Sequence, residues 1–207
     1  MISLDPAWVQ GIAGIVQALG VIFALAQVRL LRLQITADHE LARRPRAIED
    51  VRAFASSLDR AHPSARRLVD DFDAEQVGFL MKRTPFVLPD KNRKFAEYAL
   101  SDILEKYPLQ PVDGGFRLNE AHLAHLLQLC LGHLNQLETA LLGWFLGISD
   151  NKVVEDQFKY AISAPNGHYI LEVFREHPNC RGNYPAINAF VARVRNLPVE
   201  QPRESIA

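Results

Sequence analysis

The sequence has few of the residues that mark a disulfide framework, a zinc site or a nucleic-acid-binding surface. Only two of its 207 residues are cysteine, and Cys130 and Cys180 form no CxxC pair, which excludes a disulfide scaffold and a cysteine zinc site. The formal net charge of −1 provides no chain-wide positive field for nucleic acid. The chain also has no internal repeat, no phosphate-binding glycine loop and no nucleophile elbow. These absences exclude several classes of protein without identifying a reaction.

An N-terminal stretch without any ionisable side chain runs from Trp8 to Val28. As a helix, about 20 apolar residues at about 1.5 Å each cover a hydrocarbon core of about 30 Å. Asp5 and Pro6 precede the stretch as a helix cap and a first helical residue. Arg29 follows it directly, so the charge order is that of an uncleaved anchor and not of a signal peptide. The sequence therefore predicts a transmembrane helix.

Basic residues lie only on the C-terminal side of this stretch, and no helix breaker occurs before Pro45. The positive-inside rule then leaves the body of the protein in the cytoplasm. We expect a single-pass membrane protein, with the lipid bilayer as a partner and a helix that continues to Arg44. The alternative is a fully soluble bundle in which Trp8 to Val28 form a buried core helix. The basic residues are Arg29, Arg32, Arg43, Arg44 and Arg46.

Small and amide side chains recur along this helix at alternating spacings of three and four. That spacing forms the heptad seam of a left-handed helix pair. In lipid, small residues allow two backbones to approach, and amides hydrogen-bond across the contact. We therefore predict self-association, or pairing with another membrane helix, along a seam made of Gln10, Ala13, Gln17, Gly20, Ala24 and Gln27.

The remaining sequence shows helical periodicity almost throughout and predicts an all-α protein. We expect a membrane anchor and juxtamembrane helix in residues 1–45, one helical bundle domain in 46–197 and a flexible tail in 198–207. Asp73, Asp90, Asn119 and Asp150 are the expected helix caps. Asp113-Gly114-Gly115 indicates a small hairpin within residues 109–118, too short to make a sheet.

The longest predicted helix, from Asn119 to Gly147, carries three histidines. His122 and His133 lie about 16 Å apart along it, too far for one ion bound at about 2 Å per ligand. Only His122 and His125 could share a metal, and no HExxH companion accompanies them. We therefore predict no metal site, no cofactor and no catalytic residue. Three other acids, Asp70, Asp71 and Asp73, are interpreted as a solvated helix end and cap.

Glu138 lies on the apolar side of the same helix. A partly buried carboxylate requires a partner. The candidate is Arg175, which lies within an apolar segment further along the chain. We predict a buried ion pair between them that locks two helices. The alternative is a hydrolase or metalloprotein that uses Glu138 or the His122/His125 region.

Several runs in the C-terminal half resemble a bacterial family, domain-of-unknown-function family 4760. The resemblance covers the anchor, Arg43-Arg44-Pro45 and about residues 120–195, and its Asn-x-x-Glu motif matches Asn135 and Glu138. It implies a small protein with an N-terminal membrane helix, a basic junction and a helical cytoplasmic bundle, and it implies no activity. The matching runs are His133 to Ala140, Gly147 to Val154, Tyr169-Ile170 and Phe174-Arg175.

These patterns together predict a membrane-anchored helical adaptor or regulatory protein that acts by protein interaction. Bacterial stress or phage response is one setting for such a protein. The protein partner is not indicated by the sequence, and nucleic acid is not expected.

Overall fold

The computed structural model describes residues 6–163 and 167–196, with the side chains of the first helix described from residue 23 onward except residues 36, 37, 39 and 40. Within these residues the protein is mainly helical, which confirms the predicted class at that level. The helices are α1 (Pro6–Ser57), α2 (Ala61–Asp70), α3 (Ala74–Lys82), α4 (Arg93–Ala99), α5 (Glu120–Phe145), α6 (Asn151–Ile162), α7 (Glu172–Glu176) and α8 (Pro185–Val194). The strands are β1 (Phe86–Pro89), β2 (Gln110–Val112) and β3 (Gly115–Leu118).

The chain forms two compact units, Met1–Arg43 and Arg44–Ala207. Among the described residues, none of the helices combines the length and the apolar character needed to cross a membrane. The side chains of residues 6–22 lie outside the described part of the chain. That part of α1 holds most of the predicted span and the seam positions Gln10, Ala13, Gln17 and Gly20, so both stay predictions. The predicted tail, residues 198–207, also lies outside the described residues.

Helix α1 continues through Pro45 and ends at Ser57, so the expected end at Arg44 is wrong. A proline inside a helix removes one backbone N–H and leaves the carbonyl four residues earlier without its donor. That carbonyl belongs to Leu41. Because Leu41 is 72% exposed, water can hydrate the carbonyl. Two residues after Pro45, Ala47 is completely buried and contributes to the core of the second unit.

The three strands form an antiparallel sheet in the order β1-β3-β2. The predicted hairpin is present as β2 and β3, but the expectation that no sheet forms is wrong because β1 pairs with β3 as well. The close approach of β1 and β3 requires glycine at position 115, since a Cβ atom there would lie 1.9 Å from the carbonyl oxygen of Leu88. Strands β1 and β3 are separated in sequence by α4 and β2, so no local pattern indicates that they pair.

Helix α5 is the centre of the bundle and packs against α2 on one side and α8 on another. Asp90 does not cap α4, because it lies inside a short 3₁₀ turn, Asp90–Asn92, and the residue that precedes α4 is Asn92. The other three caps are confirmed: Asp73 accepts a hydrogen bond at the start of α3, Asn119 at α5 and Asp150 at α6. Each occupies extended backbone and satisfies N–H groups that the first turn leaves free. The fully buried apolar side chains of α5 are Leu123, Leu126, Cys130, Leu134, Leu137 and Leu141.

Candidate functional site

His122 is held entirely by backbone groups at the start of α5. Its Nδ1 accepts a hydrogen bond from the Asn119 N–H at 3.2 Å, and its Nε2 lies 2.7 Å from the carbonyl oxygen of Tyr107. Because Nδ1 accepts, the proton is on Nε2, which donates to Tyr107. Both nitrogens are therefore occupied, and His122 has no free lone pair for a metal.

The other two histidines of α5 point to different surroundings. His125 lines an open groove of about 750 Å³ together with Arg83 and Tyr107, and its Nε2 is buried without a hydrogen bond. His133 is 3% exposed, and neither of its ring nitrogens has a partner among the described residues. Its ring contacts Phe54, with 5.8 Å between the centroids. The residues described by the structure contain no group of three metal-ligating side chains.

Burial of the His133 ring lowers its pKa to about 3, because a charged imidazolium would lose its hydration in this apolar setting. The positive charges of Arg66 and His62 lower the pKa further. His133 is therefore neutral at physiological pH. Burial also raises the pKa of the Cys130 thiol, so this cysteine is an inert core residue and not a nucleophile.

Glu138 caps helix α8 and does not pair with Arg175. The backbone N–H groups of Ala186 and Ile187 donate to its two carboxylate oxygens at 2.8 and 2.9 Å. These donors belong to the first turn of α8, which has no side-chain cap of its own and begins at Pro185. A carboxylate at a helix N-terminus is stabilised both by these bonds and by the helix dipole. The partial burial of Glu138 was predictable, but its partner was not.

Arg175 is buried, as expected, but it binds neutral oxygens. Its Nε donates to the Ile170 carbonyl at 2.8 Å, and its Nη1 donates to the side-chain oxygen of Asn188. The predicted ion pair is therefore wrong, although both members contact the start of α8. Arg175 connects α7 to the first turn of α8 through the side chain of Asn188. Glu138 connects α5 to the same turn through the backbone N–H groups of Ala186 and Ile187.

Asp70 is buried, so the prediction of a solvated helix end is wrong for this residue. It ends α2, is 8% exposed and accepts a hydrogen bond from the Leu171 N–H at 2.5 Å. Arg66 donates to the same carboxylate at 3.2 Å. Burial raises the pKa of Asp70. Leu171 has φ +46°, a left-handed conformation that a leucine rarely adopts, and the bond to Asp70 holds it there.

A cleft lies between the last turns of α1 and the second half of α5, within the second unit. We refer to it as the α1–α5 cleft. It has a volume of about 320 Å³. Its lining combines apolar and polar side chains and contains one charged residue. The lining residues are Asp50, Ala53, Phe54 and Ser57 from α1, and Asn135, Gln136, Thr139 and Ala140 from α5.

The Asp50 carboxylate is held in position by a hydrogen bond from another part of the chain. The Ser149 hydroxyl donates to its Oδ2 at 2.7 Å. This pair lies against Gly143, where a Cβ atom would come within 2.3 Å of the Ser149 oxygen and 2.9 Å of Asp50 Oδ2. The absence of a side chain at Gly143 therefore makes room for the carboxylate and its hydroxyl partner.

The Gln136 amide has a defined orientation in the same cleft. Its Nε2 donates to the Ser57 carbonyl at 3.2 Å, and a carbonyl can only accept, so the nitrogen faces Ser57. The amide oxygen Oε1 is then buried, and no described residue donates to it. A buried carbonyl without a donor costs about 1–3 kcal/mol.

A scan against protein-family models and searches of curated proteins and of solved structures return no match to this chain. The resemblance to domain-of-unknown-function family 4760 therefore stays a prediction. Of the groups now described, the α1–α5 cleft is the strongest candidate site, because its lining brings a carboxylate and two amides together, whereas His122 and Glu138 are used by the fold. The Asn-x-x-Glu motif in the sequence includes Asn135. Nothing in the sequence indicates that the last turns of α1 lie beside this part of α5.

We predict that Glu138→Ala lowers the free energy of unfolding by about 2–3 kcal/mol, because two backbone donors of α8 lose a charged acceptor. Glu138→Gln keeps one acceptor oxygen and should lose about half as much. Urea unfolding followed by circular dichroism measures both. Glu97→Gln removes a carboxylate at an exposed position and is the matched control. Unchanged stability of Glu138→Ala would show that the cap is energetically unimportant.

We predict that His133 makes the protein less stable as the pH falls from 7 to 4.5. The unfolded state binds a proton below a pKa of 6.5, whereas the folded state does so only near a pKa of about 3. The difference amounts to about 3 kcal/mol at pH 4.5. His133→Leu removes this dependence, and His177→Gln, at a half-buried position, should keep it. Equal pH slopes for the wild type and His133→Leu would contradict the prediction.

Proposed function

We propose that the protein is a membrane-anchored helical adaptor or regulator that acts by protein interaction. The observation that carries the proposal is the apolar surface of α1 after residue 22. Phe23 and Leu25 are each 65% exposed, and Leu30 is 62% exposed. Water is an unfavourable environment for so much contiguous apolar area, so this segment is expected to have a lipid or protein partner. The other exposed large apolar residues of this segment are Val28, Leu31, Leu33 and Ile35.

The arrangement of these side chains supports lipid as the partner. At about 100° per residue they point in all directions around α1, which a single groove on a partner protein would not cover. Arg29 and Arg32 lie among them, as basic side chains do where a helix leaves the bilayer on the cytoplasmic side. The resemblance to family 4760 supports the same placement. A location in the bacterial inner membrane and a role in stress or phage response are further parts of this proposal.

The chemistry of α5 supports interaction over catalysis. The hydrolase or metalloprotein alternative requires free groups at His122, His125 or Glu138. His122 has both nitrogens bonded, and Glu138 has both carboxylate oxygens bonded to α8. His125 alone keeps an unbonded nitrogen, and one imidazole is too little for either reaction.

The anchor is tested by carbonate extraction of the tagged full-length protein from bacterial membranes. We expect the wild type in the membrane pellet. Leu19→Arg places a charge near the middle of the predicted span at a cost of about 3 kcal/mol and should release the protein. Leu41→Arg changes an exposed leucine beyond Arg32 and should not. Complete release of the wild type by carbonate would reject the anchor and favour the soluble bundle.

Self-association along the seam is a separate prediction. Ala24 and Gln27 are exposed on α1 and are available to a partner helix. In a membrane-helix dimerisation reporter, Gln17→Leu and Gly20→Leu should reduce the signal, because they replace an amide and a close-approach residue. Ile15→Leu lies off the seam and should leave it unchanged. The same signal from all three variants would reject the seam.

A further inference from the structure

We propose that His133 is the sensor of an acid-sensitive switch: protonation of its ring detaches residues 44–57 of α1 from the bundle while the rest of the second unit stays folded. The inference goes beyond the adaptor function and does not depend on the membrane anchor. It depends on three features of the second unit: the unpaired nitrogens of His133, the charges that face its ring, and the limited burial of residues 44–57.

The His133 ring cannot hold a second proton favourably while α1 is in place. The residue is almost completely buried, and neither nitrogen has a hydrogen-bond partner in the part of the chain that the structure describes. Protonation would turn both nitrogens into donors without acceptors. Burying an ionised group without a partner is far more costly than burying the neutral group. Protonated His133 therefore requires contact with water.

The charged groups that face the ring oppose its protonation further, and both lie on α2. The centroid of the His62 ring is 6.4 Å from that of His133, and the positive charges of His62 and Arg66 lower the pKa of His133. The Asp59 carboxylate binds His62. The Asp70 carboxylate binds Arg66. Helix α1 contributes an uncharged aromatic ring, so no described anion is placed to stabilise the protonated imidazole.

Residues 44–57 bury little of their surface in the second unit. Ala47 alone among them is fully buried, and three others are half-buried: Asp50, Val51 and Phe54. Two of the described side-chain hydrogen bonds attach this segment to the bundle. The Ser149 hydroxyl donates to Asp50, and the Gln136 amide donates to the last residue of α1. Segments with few buried apolar groups open at a lower free energy than the whole domain.

Phe54 links this segment to the sensor. Its ring packs edge-on against the His133 ring, with 5.8 Å between centroids, and against Phe158 of α6, with 5.2 Å. Helix α2, the other neighbour of the His133 ring, is held more firmly. Its buried apolar residues are Ala61, Ala65, Leu68 and Val69. Water therefore reaches His133 by displacement of Phe54 and residues 44–57, and α2 stays in place.

The size of the response follows from proton linkage. With α1 in place the pKa of His133 is about 3, and in contact with water it returns towards 6.5. The ratio of the detached to the attached state should therefore rise by as much as about 30-fold between pH 7.5 and pH 5. The continued presence of His62 and Arg66 near the ring reduces this factor, so we expect a rise of about 10–30-fold.

The test measures the detachment of residues 44–57 by thiol labelling of the full-length protein in detergent micelles. Ala47→Cys places a thiol at a completely buried position of this segment. The reagent is 4,4′-dithiodipyridine, which reacts with thiols in acid, and the rate in urea-unfolded protein corrects for its own pH dependence. Mass spectrometry distinguishes the thiol at position 47 from that of Cys130, which is buried in α5 and reports global unfolding.

We expect the corrected labelling rate at position 47 to rise about 10–30-fold from pH 7.5 to pH 5. At pH 5 it should also exceed the corrected rate of Cys130 at least about tenfold, because local detachment is more frequent than global unfolding. A rate at position 47 that is independent of pH would overturn the proposal. So would equal corrected rates at position 47 and Cys130, because the segment would then open only when the whole unit unfolds.

Two variants assign the response to His133. In the same background, His133→Leu should remove the pH dependence at position 47. His125→Gln changes another histidine of α5, outside the contacts with Phe54, and should keep it. An unchanged response in folded His133→Leu, or its loss in folded His125→Gln, contradicts the assignment. Circular dichroism checks folding, and if Ala47→Cys does not fold, Val51→Cys supplies the thiol at a half-buried position of the same segment.

Discussion

The need to satisfy backbone groups at helix ends inside the bundle is the constraint on which the second unit depends. Helix α8 begins without a cap of its own, and the Glu138 carboxylate from α5 supplies one. Asp70 from α2 holds the backbone N–H of Leu171 ahead of α7 in the same way. At the start of α5, His122 and Asn119 bond each other and His122 reaches Tyr107. An unpaired buried N–H or C=O costs as much as a lost hydrogen bond, so these side chains determine how neighbouring segments meet.

This constraint also explains which polar groups remain for function. Residues that suggest chemistry in the sequence, such as His122 and Glu138, have all their polar atoms engaged by backbone groups. Gln136 is different, because one end of its amide holds the last carbonyl of α1 and the other end has no donor. Besides Gln136 Oε1, three buried side-chain atoms have no partner among the described residues, namely His125 Nε2 and both ring nitrogens of His133.

Local features were predictable from the sequence because their causes are local. Asp73, Asn119 and Asp150 cap helices that start one residue later, and Gly114 allows the hairpin turn with φ +83°. The partners of Glu138 and the pairing of β1 with β3 were missed for the opposite reason. Glu138 bonds residues 48 and 49 positions away in the chain. An apolar environment predicts that a carboxylate needs a partner, but it does not distinguish an arginine from two backbone N–H groups.

The sequence by itself determined the helical class, the helix caps, the hairpin and the apolar, uncharged character of the N-terminal stretch. Each follows from propensity, periodicity or charge within a few residues. Only the tertiary structure decided that α1 continues past Pro45 to Ser57, that Asp70 is buried, and that Asp50 and Gln136 face one cleft. The physical reason is that burial and hydrogen-bond partners depend on which distant segments pack together. In this protein that packing is set by α5 and by the helix ends that its neighbours leave unsatisfied.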